Sequence, residues 1–337
     1  MSLNHVDLWT HLDTMTDHHG LFEHAKFSSP RTEHGYCTDD NARLLVVASR
    51  DHGGDRVERL CRVAFSFCEK SMSPDGRVFN RMDSLGRFID SPSTDDCWGR
   101  CLWGLGVAAS HHDDPLLRDT ARELFAVGAQ QRSPWKRSMA FAALGAAELL
   151  ASDPSNEVAR ALLKDSVNTI GSPGSGVWRW PEARLTYANA VLPEALIAAG
   201  SALHDTQSFE HGLTMLDWLL EGESPTGQLS VTGCQGRAVS DKRPQFDQQP
   251  IEVTTIADAC WRAYQFTSDQ RWAQGVLLAK EWFDGMNDSK TVMYDTTTGG
   301  GYDGLHSHGA NLNQGAESTL AFVSTQQRSN ALLLTHQ

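Results

Sequence analysis

Two short stretches, TDDNARLLVV at 38–47 and TDDCWGRCLW at 94–103, begin alike. Each has a threonine, two aspartates, an arginine three or four residues after the second acid, and then an apolar run. Three later stretches place a glutamate among amides and turn residues: YANAVLPE ends on Glu194, QQPIE on Glu252 and NLNQGAE on Glu317. Carboxylates supply acids and bases, while amides and the guanidiniums of Arg43 and Arg100 supply directional donors. Tyr36, Trp98, Trp180 and Tyr187 add flat apolar faces. Such a set suits a sugar, whose hydroxyls need donors and acceptors and whose C–H faces stack on rings. One carboxylic acid that protonates a leaving oxygen, and one carboxylate that activates water or attacks the anomeric carbon, suffice to cleave a glycosidic bond. The acid/base candidates are Asp40, Asp96, Glu252 and Glu317. The candidate sugar contacts are Tyr36, Asn41, Arg43, Trp98, Arg100, Trp180, Tyr187, Asn189, Glu194, Gln249, Asp303, His306 and Asn313.

These residues need elements that bring them together, and the hydrophobic pattern supplies them. Six stretches, at 6–15, 55–72, 115–131, 156–170, 207–221 and 269–286, carry charges at helical spacing along one side. In 55–72 the stripe is Val57, Leu60, Cys61, Ala64, Phe65 and Cys68. Six others alternate with them, at 39–49, 95–110, 136–151, 190–202, 251–266 and 314–327, and are less charged and rich in small residues. A helix apolar nearly all round belongs inside a larger assembly. The alternation has a unit of about 40 to 60 residues. It predicts an all-α fold, an (α/α)6 toroid of six helical hairpins forming one domain over 1–337, with an open solenoid as the main rival. Links from inner to outer helices are short, whereas most returning links are long and rich in glycine and aromatics, such as SPDGRVFNRMDSLGRFIDSPST at 73–94. Long irregular loops in a compact domain are usually functional, so the pocket is expected where the inner helices begin.

Each acid also has a plainer reading. Thr38 and Thr94 look like N-caps, and acids in the first turn complement the helix dipole for ~0.3–1 kcal/mol each. Convergence favours the richer reading: in a closed ring five of six inner helices aim a carboxylate at one cavity, which is costly to desolvate without a function. The third, with Trp135, Lys136 and Arg137, contributes no acid.

Other chemistries fit less well. A net charge of −13 argues against nucleic acid and anionic membrane partners. Arg43 stands where a diphosphate-binding DDxxD motif needs its last acid, and TTTGGGYDG lacks the lysine of a phosphate loop. The histidines at 306 and 308 are weak evidence for a metal, and the chemistry needs neither metal nor cofactor. Seven cysteines without a C-x-x-C pattern read as buried free thiols in a reducing compartment, which points to the cytoplasm. The N-terminus lacks a signal-peptide pattern, and Met1-Ser2-Leu3 has the look of an expression leader.

With these residues in view, the layout resembles the six-hairpin glycosidase superfamily, and the pairing of Asp40 with Asp96 resembles the unsaturated glucuronyl hydrolases. The acid-rich site disfavours a uronic acid, so hydrolysis of a neutral oligosaccharide is expected instead. The stretches LTYANAVLPEAL, FDQQPIEVTTIADA, GGGYDGL and NLNQGAESTLAF are similar to an uncharacterised bacterial group of helical-toroid proteins. That group is found alone or fused to glycosyltransferases, often near mannoside phosphorylases. This second resemblance spans residues 36–322 and implies carbohydrate metabolism with a glycosyltransferase system as a partner. The alternatives are a non-catalytic carbohydrate-binding domain and a sugar 2-epimerase, for which only His306 and His308 stand in place.

Because a helix N-terminus lowers a carboxyl pKa, Asp40 and Asp96 are expected to be charged bases and Glu252 or Glu317 the acid. A separation of ~6.5–9.5 Å would invert the anomeric centre, and ~5–5.5 Å would retain it.

Overall fold

The computed structural model describes residues 6–51 and 53–335. The leader Met1-Ser2-Leu3 lies outside the described residues. The helices are α1 (Thr10–Thr14), α2 (Thr38–Ser49), α3 (Asp55–Ser71), α4 (Asp96–His111), α5 (Pro115–Gly128) and α6 (Lys136–Ser152). They continue with α7 (Glu157–Ile170), α8 (Val191–Leu203), α9 (Thr206–Glu223), α10 (Pro250–Thr267), α11 (Gln270–Phe283) and α12 (Ala316–Thr335). Three two-stranded antiparallel pairs lie in the loops. They are β1 (Ala25–Lys26) with β2 (Ser29–Pro30), β3 (Tyr36–Cys37) with β4 (Arg81–Met82), and β5 (Gly304–His306) with β6 (Gly309–Asn311).

Helices α2, α4, α6, α8, α10 and α12 form an inner ring. Each packs on the next, and α12 returns to pack on α2. That return contact closes an (α/α)6 toroid and excludes the open solenoid. From α3 onward, each outer helix packs on the inner helix before it, and α1 packs on α12. Burial follows the amphipathic contrast: α2 is buried at every position except Asp39, whereas α3 buries only one stripe. Phe67 rather than Phe65 completes that stripe. Two boundaries differ most from expectation. Asp7 accepts from the Trp9 amide and the Thr10 hydroxyl, a turn that delays α1 to Thr10. At the other end α12 runs on to Thr335, because Ser329 and Leu332 continue its buried face past the polar residues 326–328.

Small residues set the spacing of the ring. A Cβ on Gly106 would sit 2.3 Å from the Gly145 carbonyl oxygen, and one on Gly145 would sit 2.2 Å from that of Leu102. The backbones of α4 and α6 therefore touch where side chains would hold them apart. Gly106→Ala is expected to lower stability by about 1–3 kcal/mol in urea unfolding, since overpacking forces backbone shifts. Gly222→Ala on outer α9 would meet only the far end of Arg237, at 3.4 Å. It should be neutral or stabilising by up to about 1 kcal/mol.

Candidate functional site

Four of the outer helices begin differently from the inner ones, although α1 and α3 have no side-chain cap. Asp114, Asn156, Asp205 and Asp269 cap α5, α7, α9 and α11, each accepting a backbone N–H of the first turn. At the starts of α2, α4, α6, α8 and α10 no side chain makes a capping bond. The expected threonine caps are thus not formed. Thr38 lies inside α2 and its hydroxyl donates to the Phe79 carbonyl at 2.6 Å, while Thr94 precedes α4 by two residues. The first-turn acids of α2, α4, α8 and α12 instead lie against guanidiniums, whereas Glu252 of α10 accepts from Ala188 and Asn189.

Arg43 Nη2 donates to Asp40 Oδ1 and its Nη1 to Glu317 Oε2, both at 2.6 Å. Arg100 Nη1 lies 3.0 Å from Asp39 Oδ1, and its Nη2 lies 3.7 Å from Asp96 Oδ2. Tyr187 donates its hydroxyl to Asp96 Oδ2 at 2.8 Å, and Asn80 Nδ2 donates to Asp39 Oδ2 at 3.0 Å. Three adjoining recesses of about 430, 440 and 370 Å³ open around this ladder, and Arg100 and Glu317 line all three. Glu23, His24, Asp40, Arg81 and Asp303 line the first, Asp95, Asp96, Trp135 and Tyr187 the second, and Cys234, Gln249 and Glu252 the third. Below Arg43 the axis narrows to a chamber of about 30 Å³ beside Trp103 and Phe141.

Burial sets most of the proton affinities. It pushes Asp40 up to about 6, with Arg43 pulling back and Glu317 adding to the rise. It also raises Asp96, against the opposing pull of Arg100 and the Tyr187 hydroxyl. Glu317 feels burial too, but Arg43 and Arg100 outweigh it and leave this carboxyl below its usual range. Burial pushes Glu252 up to about 7, although the Asn189 amide and side chain and the Ala188 amide all donate to it. The helix dipole therefore does not dominate at Asp40 and Asp96, which are raised where it would lower them.

Of the residues singled out in the sequence, Asp40, Asp96, Glu252, Glu317, Arg43, Arg100, Tyr187, Gln249 and Asp303 line the recesses. The others stand elsewhere. Tyr36 is buried, stacks on Phe22 and donates to Asp17 at 2.8 Å. Asn41 bonds the backbone of Leu21 and Cys37. Trp98 is buried and donates to the Gly128 carbonyl at the end of α5. Trp180 is buried and stacks on Trp218 of α9, pinning its loop outward. Asn189 joins Glu252 to Arg137, and Asn313 accepts from the Phe27 amide. His306 pairs with Asp247. Glu194 faces the far end of the ring, where Arg262 bridges it to Glu148 at 3.0 Å on each side.

Several lining residues were not singled out. Asp39 is more exposed than Asp40, at 18% against 3% of the side chain, and the doubled acid of the motif was its signal. Trp135 occupies the N-cap of α6, the same place that Asp95 holds on α4. Glu23, His24 and Arg81 carry no local signal, since Glu23 pairs with Arg81 across 58 positions. Glu23, Cys37 and Asp40 bring ligand atoms within 4.8 Å of one another, a donor set within zinc's range. Arg81 and Arg43 already neutralise the two carboxylates there, so a cation would have to displace both.

The raised Asp40 carboxyl makes a signed prediction. A group that holds its proton more tightly when folded contributes fully below about pH 4, and that contribution is lost as the pH rises through about 6. Asp40→Asn has no proton to lose. Relative to the parent it should gain on the order of 1–3 kcal/mol between pH 4 and pH 7, read from urea unfolding at both. A constant difference between the two proteins would show an ordinary carboxyl.

No family description and no curated protein matches the chain. Solved structures do match its fold. A sugar epimerase from a ruminal bacterium superposes with TM-score 0.70 at 14% identity, over 95% of each chain. The cellobiose 2-epimerase of Spirochaeta thermophila gives 0.69 at 10%, covering 96% of this chain and 93% of that one. The GH76 alpha-mannanase of Bacteroides thetaiotaomicron gives 0.59 at 11%, over 90% and 88%. The chain shares the (α/α)6 toroid of these sugar-active proteins.

Proposed function

We propose that the protein is a carbohydrate-active enzyme that hydrolyses a glycosidic bond of a neutral saccharide, with Asp96 as general acid and Glu317 as base. One observation carries this: the two carboxyls line the same recess while their surroundings push them in opposite directions, Asp96 up and Glu317 down. Opposed pKa shifts in one pocket mark an acid and a base. Asp96 gives its proton to the leaving oxygen, and the Tyr187 hydroxyl then stabilises the carboxylate that remains. Glu317 keeps Oε2 on Arg43, which leaves Oε1 to take a proton from water. Glu252 is better suited to hold the 187–189 turn, whose Ala188 has φ +44°, than to release a proton. A sugar substrate also fits the matched structures, which are sugar epimerases and a mannanase. Those matches lend no support to a glycosyltransferase partner. Among the described residues no helix is long and apolar enough to cross a membrane.

His24 supports a second reading, epimerisation of a reducing sugar, because it lines the first recess with Nε2 4.0 Å from Glu23 Oε1. A panel of gluco- and manno-oligosaccharides separates the readings. The parent is expected to release reducing ends, and Asp96→Asn and Glu317→Gln should each lower kcat by about 10²–10⁴-fold. Solvent deuterium entering the sugar at C2 without new reducing ends would establish the epimerase. Binding without either change would leave a non-catalytic carbohydrate-binding domain.

A further inference from the structure

Trp135 is 60% exposed, yet its ring is not loose. Its indole N–H donates to Asp95 Oδ1 at 2.9 Å, and its backbone N–H donates to Ser133 Oγ at 3.1 Å. Tyr187, 45% exposed, is fixed in the same way. Its hydroxyl holds Asp96, and the Arg137 guanidinium lies 4.9 Å from its ring centre. Arg137 is itself held by both oxygens of Glu182, at 2.9 and 3.0 Å. Two aromatic faces thus stand fixed in the second recess, where a flat ligand meets them with little side-chain entropy left to lose. The first recess is lined instead by charge and amides, including Glu23, Arg81, Asp303 and Asn311.

Asp96 lines the second recess and not the first, whereas Glu317 lines both. We infer that the second recess receives the leaving group as a sugar ring stacked on Trp135, while the first holds the sugar whose anomeric carbon reacts. This orientation rests on the hydrolase reading, because the group that protonates the leaving oxygen must lie on the leaving-group side. The bond from the anomeric carbon to that oxygen breaks with its electron pair on oxygen, and the Asp96 proton joins it. Water bonds to the anomeric carbon and yields its proton to Glu317. The substrate class is then a saccharide whose leaving group is itself a sugar, set at right or wrong distance by Trp135.

Glycosyl fluorides isolate this half of the site, because fluoride departs without a ring to stack. Trp135→Ala should lower the ratio of kcat/KM on gluco- and manno-oligosaccharides to that on the matching glycosyl fluorides about tenfold, mainly through KM. Trp135→Phe should restore most of the ratio. An unchanged ratio overturns the inference, whether both activities fall together, as for a structural residue, or neither falls. A parent inert on both substrate classes removes the hydrolase reading and this orientation with it. A parent active on both, with the ratio insensitive to Trp135, removes the orientation alone.

Discussion

One guanidinium ties the ends of the ring together. Arg43, on the first inner helix, bonds Asp40 on its own turn and Glu317 on the last inner helix. It is 7% exposed; burial alone would disfavour its charge, but Glu317, Asp40 and Asp39 outweigh that and raise its proton affinity. Breaking the buried Arg43–Asp40 pair would strand an uncompensated charge at a cost of about 3–5 kcal/mol, and the more exposed Glu317 adds a second partner from the last helix. The same bond keeps Glu317 ionised at the mouth of the cavity and joins α2 to α12. Closure of the toroid and the charge state of the site are therefore one constraint.

The two ends of the ring axis use charge in opposite ways. At the far end, Asp258 takes Arg328 at 2.5 Å, Arg50 at 3.4 Å and the Ser324 hydroxyl, and Arg262 links Glu148 to Glu194. These groups are largely buried and paired with one another, three carboxylates against three guanidiniums, at the base of the ring. At the mouth, the first recess sets Glu23, Asp39, Asp40, Asp303 and Glu317 against Arg43, Arg81 and Arg100. That excess of carboxylates faces an open cavity, where acceptors remain for hydroxyl donors. The proposed sugar chemistry is therefore placed at the mouth, where carboxylates outnumber the guanidiniums.

The toroid was legible in the sequence because inner and outer helices bury different fractions of their surface, and composition records that difference. The direction of each acid was not. Glu194 is the fourth residue of α8, Glu252 the third of α10 and Glu317 the second of α12. Each residue turns a helix by about 100°, so three similar-looking glutamates face the base of the ring, a neighbouring turn and the cavity. The doubled TDD motif was legible as architecture, but Asp39 pairs across to Arg100 while Asp40 pairs back to Arg43. Arg81 and Glu23 come from separate loops, and no local pattern announces a contact made only when both loops fold over the ring.

The helix dipole assigns the charged role to the acids nearest a helix start, because it acts within the first turn. Its worth there is about 0.3–1 kcal/mol, which is small beside the desolvation of a buried carboxylate. Asp96, at the first residue of α4, is raised by burial, whereas Glu317 is lowered because two guanidiniums act on a side chain left 40% exposed. Guanidinium placement and burial, rather than helix termini, thus decide which carboxyls hold a proton more tightly and which less, the division that the proposed acid and base rest on. A bound sugar would widen that division. Filling the recess expels water, which makes a charge on Asp96 costlier and strengthens the Arg43–Glu317 pair in the lower local dielectric.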